Sequence, residues 1–373
     1  MSDEKNKKKI RVGITQGDTN GIGIEVILKA LAAPEICELC QPIVYGSSKI
    51  LGVHRRAMEM PAVQMNYTRS ATYVKENMPN LVECVNEEIK VEPGQLDKQA
   101  GRAAFLALEA AVADLKEGDI DVLVTGPINK ANIQSAQFNF PGHTEYLQSA
   151  IASDGEQAMM MMCHGSLRVA FVTHHVPLSQ VPELITPQLL GERLRTLDAT
   201  LRRDFLIERP RIAVLALNPH TGENGLMGTT ERDIITPAME AAQDGEGILC
   251  FGPFAADSFF GMRKWEHFDA VMAMHYDQGA VPFKAMAMLD GALFTAGLPV
   301  VRTAPAHGTA YDIAGQGVAN EQSLRSAIYL AIDVLRNRRT YDEAHAHPLK
   351  KLYVDRGKDN VVLDLTKTEE PEL

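Results

Sequence analysis

The fold class is decided by residues 11–33, RVGITQGDTNGIGIEVILKALAA, where a short apolar run is followed by a glycine-rich turn and an amphipathic helical pattern. The same order recurs around it. A helical pattern at 103–115 precedes the apolar run 121–125, and the run 211–217 precedes a helical pattern at 231–242. This alternation predicts an α/β fold of buried parallel strands joined by crossover helices. Ligands of such folds collect at the carboxyl ends of strands.

One segment departs from this alternation. The runs MMMMC at 159–163 and LRVAFVTHH at 167–175 are separated by the turn-like HGS, which predicts a hairpin or adjacent strands with the methionines as core. Five cysteines, an odd and scattered number, do not indicate a disulfide framework and fit a reducing compartment. Cys37 and Cys40 lie in a helical pattern with no second pair, so we predict two helix residues and not a zinc site.

Length, composition and charge limit the kinds of protein and partner that this chain can represent. With 373 residues, of which 45% are apolar and 23% charged, the chain can bury two medium cores. A net charge of −11 argues against nucleic acid as the main partner, which requires a basic face. Without a signal-peptide pattern or a bilayer-length apolar run, we expect a cytoplasmic protein with a small-molecule partner and no membrane contact. An anionic ligand would need local cations, which draws attention to Lys284 and Arg302.

Three histidines follow apolar runs: His175 in THHVPL, His220 in LNPHTGE and His275 in MHYDQG. One such histidine is usually structural, but three at equivalent places favour convergence on a divalent metal with an open position for substrate. His174 competes with His175. Because adjacent strand residues point to opposite sides, we expect only one of the two to face the site.

Other candidates keep two interpretations each. His143 and Thr144 in PGHTE precede a helical pattern and offer a polar clamp for carboxylate or phosphate, or simply a helix cap. The glycine-rich turn at 16–23 suits either an anion or tight geometry, and Asp18 could cap the helix. Lys130 in TGPINK is either catalytic or a surface lysine.

Residues 304–320, APAHGTAYDIAGQGVAN, are the most informative segment. They resemble the adenine-binding loop of the isopropylmalate and isocitrate dehydrogenases, which hold a dinucleotide without the Rossmann glycine pattern. The matching residues are His307, Gly308, Thr309, Asp312 and Asn320. The acid at Asp312 implies NAD, because a carboxylate accepts the ribose 2′-hydroxyl proton and repels a 2′-phosphate.

Motifs between residues 10 and 335, among them GITQGDTNGIGIEV, FPGHTEYL, LNPHTGENGLMG and GLPVVRTAPAHGTA, resemble the 4-hydroxythreonine-4-phosphate dehydrogenase family of pyridoxal phosphate synthesis. The resemblance implies two α/β lobes of the isocitrate and isopropylmalate dehydrogenase type with the site in the cleft. We expect one lobe from 1–128 and 300–373, carrying the adenine loop, and the other from 129–299. It also implies a homodimer whose site is completed across the interface.

By the same resemblance, His143 and Thr144 bind substrate, and Lys284 and Arg302 contact its phosphorylated part. His175 and His220 bind the metal, which would be zinc, cobalt, manganese or magnesium.

Two residues depart from the family pattern. The family carries Tyr-His before Asp-Gln-Gly, whereas this chain has His275-Tyr276. Either a bulge returns His275 to the metal, which we favour, or Tyr276 occupies the site. Leu293 stands where the family has a substrate-binding asparagine, which changes the substrate that fits.

The expected reaction is metal-dependent oxidation of a short phosphorylated hydroxy acid by NAD, followed by decarboxylation. The expected substrate is 4-hydroxythreonine 4-phosphate. Asp257 and Asp277 are candidates for proton transfer or ligand support. The alternatives are a sister dehydrogenase of threonate or erythronate 4-phosphate, a phosphotransacylase, and a non-catalytic binding protein.

Overall fold

The computed structural model describes residues 9–153 and 155–347. Its strands are β1 Arg11–Thr15, β2 Gln41–Gly46, β3 Asn66–Thr68, β4 Asn80–Glu83, β5 Val122–Thr125, β6 Met159–His164, β7 Leu167–Phe171, β8 Ile212–Leu215, β9 Cys250–Phe254, β10 Ala270–Ala273, β11 Ala292–Ala296 and β12 Arg302–Pro305. Its α-helices are α1 Gly23–Leu31, α2 Ile36–Leu39, α3 Ser48–Ala57, α4 Lys98–Glu117, α5 His143–Ile151, α6 Val181–Leu184, α7 Pro187–Phe205, α8 Thr236–Glu246, α9 Ala256–Gly261, α10 Tyr276–Ala287 and α11 Gln322–His345.

The strands form one sheet in the order β3-β4-β2-β1-β5-β12-β11-β6-β7-β10-β8-β9. Strand β1 pairs in parallel with β2 and β5, and β10 pairs in parallel with β7 and β8, so the predicted α/β class is confirmed. The predicted hairpin is confirmed too, since β6 and β7 are antiparallel and Met162 lies opposite Val169. Two strands in antiparallel pairing, β11 and β6, join the two parallel groups.

Strands from the two predicted lobes occupy separate halves of this sheet. Strands β1–β5 and β12 lie on one side, and β6–β11 lie on the other. Residues 1–8 and 348–373 of the first predicted lobe lie outside the described residues. The boundaries at 128/129 and 299/300 remain predictions.

The core follows from the apolar pattern. Helix α4 begins after Asp97, whose carboxylate accepts from the amide of Gln99, and ends at Gly118, whose φ of 77° is the left-handed conformation common at helix ends. Its buried face is rich in alanine, which lets the helix approach β1 and β2 closely. The methionines of β6 are buried, as are Cys37 and Cys40, and all five cysteines are free. Among the described residues no helix is long and apolar enough to span a bilayer.

Candidate functional site

A cavity of about 220 Å³ lies where strands of both sheet halves meet. Residues 125–128 and Lys130, after β5, form one wall, and residues 304–308, at and after the end of β12, form another. The remaining lining residues are Gly142, His143, Thr144, Met160, His175, Tyr276, Lys284, Leu293 and Arg302. Thus all four predicted substrate residues, Leu293 and part of the predicted NAD loop line one cavity.

Arg302 is a buried cation to which no carboxylate of the described residues is bound. Its side chain donates to the hydroxyls of Thr125 and Thr295, the latter at 3.0 Å, and the residue is 4% exposed. Burial lowers the pKa of the guanidinium to about 10, and the charge of Glu145 counters this only in part. Arginine has five N–H donors and three are used here, so two remain for an anion in the cavity.

His143 faces the cavity as a neutral imidazole. Burial lowers its pKa well below the usual value, and the positive charges of Arg302 and Lys130 lower it further. Its Nε2 is buried without a hydrogen-bond partner in the described structure. An unpaired buried nitrogen is costly unless a ligand satisfies it. His143 starts α5 and Thr144 is buried beside it, so both belong to a helix start that faces the cavity.

His175 meets Glu145 and His174 at the edge of this cavity. Within the described ranges, these three are the one group of histidine, cysteine and acidic residues whose ligand atoms lie within 4.8 Å of one another. The expectation that only one of the two histidines faces the site stays a prediction: of the two, His175 lines the cavity and His174 does not, although both contact Glu145. Strand β7 ends at Phe171, and His175 has a left-handed φ of 53°, so strand alternation does not apply. Both Nδ1 atoms therefore face the Glu145 carboxylate.

The electrostatics of this group favour a neutral His174 and an ionised Glu145. Burial lowers the pKa of His174 to about 4, helped by the charge of His175. Burial raises the pKa of Glu145, but the hydrogen bond and charge of His175 outweigh this and lower it overall. The donor set is thus a carboxylate and imidazoles, which suits a divalent transition metal.

His220 and His275 belong to neither the cavity lining nor this group. The strand order β7-β10-β8 places the three predicted metal ligands after adjacent parallel strands. His220, however, is exposed in a turn whose residues 220–224 all have positive φ. His275 is the residue before α10, and Tyr276 begins the helix and faces the cavity, with its ring centroid 6.0 Å from that of His175. Tyr276 therefore occupies the cavity wall.

Hydrogen bonds connect the predicted NAD loop, residues 304–320, to α1. Lys29 donates from Nζ to the carbonyls of Gly317 and Ala319, at 2.9 and 2.6 Å, and the Ala319 amide donates to Glu25 at 2.7 Å. The loop leaves polar groups free for a ligand. His307 Nε2 is buried and has no hydrogen-bond partner among residues 9–153 and 155–347, and a Cβ at Gly308 would meet none of their atoms within 4 Å.

The other predicted NAD residues have different surroundings. Asp312 and Asn320 are exposed, and the side chain of Asn320 accepts from the amide of Gln322 near the start of α11. Thr309 does not line the cavity. Its carbonyl instead accepts from the amide of Ile22 at 2.9 Å.

The glycine-rich turn supports this loop and has few amides free for an anion. The amides of Asp18, Gly21 and Ile22 donate to the carbonyls of Pro127, Asp18 and Thr309. A Cβ at Gly21 would come within 2.9 Å of the Thr309 carbonyl oxygen, so a larger residue would push the loop away. Asp18 binds the side chain of Asn132 at 2.6 Å. Close backbone packing, and not anion binding, thus explains why glycine and aspartate stand in this turn.

Asp257 and Asp277, the predicted proton-transfer residues, are exposed in the first turns of α9 and α10 and do not line the cavity. Sequence reasoning missed Glu145, considered His174 only as a competitor of His175, and left the role of Lys130 open. Lys130 follows β5, and burial lowers its pKa while Glu145 counters this. The position of Lys130 just after a predicted strand was the one sequence feature that pointed to a role in the site. Glu145 had none beyond its position beside His143 and Thr144.

Comparisons with known proteins agree with the fold. A family model described as pyridoxal phosphate biosynthetic protein PdxA matches residues 38–331. A 4-hydroxythreonine-4-phosphate dehydrogenase of Bacteroides thetaiotaomicron is 49% identical over 364 residues, covering 98% of this chain and 99% of that protein. A "Putative D-threonate 4-phosphate dehydrogenase" of Oceanobacillus iheyensis is 37% identical over 334 residues, covering 88% and 98%. The crystal structure of 4-hydroxythreonine-4-phosphate dehydrogenase from Klebsiella pneumoniae superposes with a TM-score of 0.76 at 32% identity, covering 89% of this chain and 99% of that one.

Proposed function

This chain belongs to the family of the pyridoxal phosphate biosynthetic protein PdxA, and on that premise we propose that it oxidises 4-hydroxythreonine 4-phosphate with NAD and a divalent metal. It is an oxidoreductase, as its named relatives are. The observation that carries the substrate class is the buried, unpaired guanidinium of Arg302 in a cavity shared with Lys284 and Lys130. In a chain of net charge −11, such a cationic cavity selects an anion.

Different residues of the cavity bind the substrate and transfer protons. Arg302 and Lys284 hold the phosphate or carboxylate of the substrate, since both are cations of the cavity wall. Neutral His143 and the Thr144 hydroxyl bind and orient its remaining polar groups. Lys130 is the group we assign to proton transfer, because it lines the cavity and burial lowers its pKa. Asp257 and Asp277 remain predictions, without support from their exposed positions.

A divalent ion, when bound, lowers the pKa of the substrate hydroxyl, and NAD, when bound, accepts the hydride. His175 supports the ion, because its imidazole lines the cavity beside a second imidazole and a carboxylate. His307, Gly308, Thr309, Asp312 and Asn320 remain the predicted NAD residues. The unpartnered His307 Nε2 and the open space at Gly308 support that assignment.

The proposal also includes a homodimer, decarboxylation after oxidation and a cytoplasmic location. Helix α10 and the turn after it carry exposed apolar side chains at Val281, Met286, Met288 and Leu289, which supports a homodimer interface. His220 and His275 would then act in a site completed by a second subunit. Decarboxylation after oxidation and a cytoplasmic location remain predictions.

A second substrate is supported by one residue. Leu293 lines the cavity on β11, so an apolar side chain stands in the cavity wall where the family has an asparagine. A site without that amide loses a hydrogen bond to the substrate amine, which favours threonate or erythronate 4-phosphate, compounds without the amine.

The test is steady-state NADH formation by metal-loaded protein with the three phosphorylated acids in parallel. Highest kcat/KM for 4-hydroxythreonine 4-phosphate supports the first substrate, and highest kcat/KM for either deamino acid supports the second. No NADH from any of them contradicts the proposal.

A further inference from the structure

The buried carboxylate of Asp18 connects three segments that are far apart in the chain. The residue follows β1 and is 1% exposed. Its Oδ1 accepts from the amide of Asn20 at 2.8 Å, and its Oδ2 accepts from the side-chain amide of Asn132, 114 residues away, at 2.6 Å. The Tyr311 hydroxyl is hydrogen-bonded to the same carboxylate. We call Asp18, Asn132 and Tyr311 the Asp18 network, and it ties the predicted NAD loop to the segment that follows β5.

Asn132 is oriented so that its N–H groups, and not its oxygen, make the contacts. Its Nδ2 donates to Asp18, to the carbonyl of Asp97 at 3.0 Å and to the Tyr311 hydroxyl at 3.3 Å. Its Oδ1 is buried with no hydrogen-bond partner among the described residues, and a Cβ at Gly101 would come within 2.7 Å of it. Turning the amide over would set this oxygen against the Asp18 carboxylate, which has no proton to donate. The connection to Asp18 therefore outweighs an unpaired buried oxygen.

The NAD loop is strained at Ala310, between two contacts that hold it. The φ of this residue is 43°, a left-handed conformation that is unfavourable for any residue except glycine. On one side the Thr309 carbonyl accepts from the amide of Ile22 at 2.9 Å, and on the other Tyr311 belongs to the Asp18 network. Such a conformation persists only where the surrounding contacts enforce it. Loss of the Tyr311 contact should therefore let the backbone relax and displace the next residue, Asp312.

Burial and charge keep the members of the network in matching protonation states. Burial and the charge of Asp18 raise the pKa of Tyr311, so the phenol keeps its proton and donates. Burial raises the pKa of Asp18 as well, but hydrogen bonds from Asn132, Asn20 and Tyr311 counter this. Every one of these partners is a donor, which favours the carboxylate.

We propose that Asp18, Asn132 and Tyr311 are positioning residues for NAD, which hold the predicted NAD loop in the arrangement that receives the cofactor. This rests on the proposed function for the identity of the cofactor. The network acts through the residues that it positions, chiefly Asp312, the predicted partner of the ribose. A loop held in this way before binding does not have to be ordered by the cofactor, and affinity is higher for that reason.

The test compares two variants that each remove one tyrosine hydroxyl from a carboxylate. Tyr311→Phe breaks the network. The matched control is Tyr45→Phe, because the hydroxyl of this buried tyrosine binds Asp114 at 2.7 Å and the residue does not line the cavity. NAD binding to each full-length protein is measured by calorimetry without substrate, and amide hydrogen exchange is followed over residues 304–320.

Tyr311→Phe should weaken NAD binding while the control does not. If about a tenth of the variant molecules keep the receptive loop arrangement, NAD affinity falls about tenfold. Exchange over residues 304–320 should quicken in this variant, because the loop opens more often. In turnover, KM for NAD should rise by the same factor, and kcat at saturating NAD and KM for the substrate should stay near the wild-type values. Tyr45→Phe should lower the melting temperature and leave NAD affinity and loop exchange unchanged.

Asn132→Ala breaks the same network from outside the loop. It should weaken NAD binding as Tyr311→Phe does, and the double variant should lose little more than either single variant, because both remove one connection. Should Asn132→Ala fail to fold, Tyr311→Phe decides alone, since it removes one oxygen from a partly exposed side chain.

Wild-type NAD affinity in Tyr311→Phe, or an equal loss in Tyr45→Phe, would overturn this assignment and leave the proposed function standing. A wild type that binds no NAD would instead overturn the proposed cofactor, and this assignment with it.

Discussion

Arg302→Met separates substrate binding from folding, because this arginine is buried without an anionic partner. Among the described residues its guanidinium donates hydrogen bonds only to the hydroxyls of Thr125 and Thr295, and burial lowers its pKa from 12.5 to about 10. At 1.36 kcal/mol per pKa unit, burial of the charge costs on the order of 3 kcal/mol in the ligand-free protein. Replacing the cation with an apolar side chain of similar length should therefore leave the melting temperature unchanged or raise it.

Anion binding should respond in the opposite direction. The two N–H groups left free on Arg302 can each donate a charged hydrogen bond worth roughly 1.5–3 kcal/mol, or about 3–6 kcal/mol together. The variant should thus bind inorganic phosphate and phosphorylated substrate roughly 10²–10⁴-fold more weakly. Thermal unfolding measured against phosphate concentration, beside KM for the substrate, reports both effects.

The matched control is Arg338→Met. Arg338 is equally buried but binds Asp204 through two hydrogen bonds, at 2.6 and 3.0 Å, and does not line the cavity. Loss of the Arg338 guanidinium leaves the buried Asp204 carboxylate without its cation. We therefore expect the free energy of unfolding to fall by roughly 3–5 kcal/mol and the affinity for phosphate to stay unchanged. If Arg302→Met instead unfolds several degrees lower while keeping the wild-type response to phosphate, Arg302 is structural and the anion site is misassigned.

Three further outcomes are expected. Leu293→Asn should raise kcat/KM for 4-hydroxythreonine 4-phosphate relative to its deamino analogues; a fall in melting temperature without a change in preference would refute its substrate-facing role. Asp312→Lys should shift the NAD to NADP ratio of kcat/KM toward NADP, and an unchanged ratio would refute the adenine-loop assignment. Burial holds the pKa of His54 below 6.5, so the unfolded chain binds the extra proton and stability falls as pH drops below about 6.5. His54→Gln should flatten that fall in denaturant titrations, and an equally steep decline would contradict this cause.

The strands and helices could be predicted because the periodic spacing of apolar residues along a short segment determines which of the two it forms. Residues 11–33 formed strand, turn and helix as their apolar pattern requires, and the hairpin of β6 and β7 followed from two runs separated by HGS. The cavity residues His143, Thr144, Lys284 and Arg302 came from the family resemblance, and the structure brings all four to one cavity.

The cluster of Glu145, His174 and His175 could not be predicted, because it depends on one backbone conformation and one long-range contact. The φ of 53° at His175 cancels the alternation from which a single facing imidazole was expected. Glu145 reaches His175 from 30 residues away, through the packing of α5 beside the end of β7. At Tyr276, likewise, the start of α10 and not strand register decides which side chain faces the cavity.

The most direct test of the central claim is NADH formation by one protein preparation, divided into metal-stripped and cobalt- or zinc-reloaded halves. Both halves receive NAD and either 4-hydroxythreonine 4-phosphate or D-threonate 4-phosphate. The account predicts NADH with at least one substrate in the reloaded half, and almost none in the stripped half. Equal rates in both halves, or no NADH from either substrate while phosphate still binds, would contradict it.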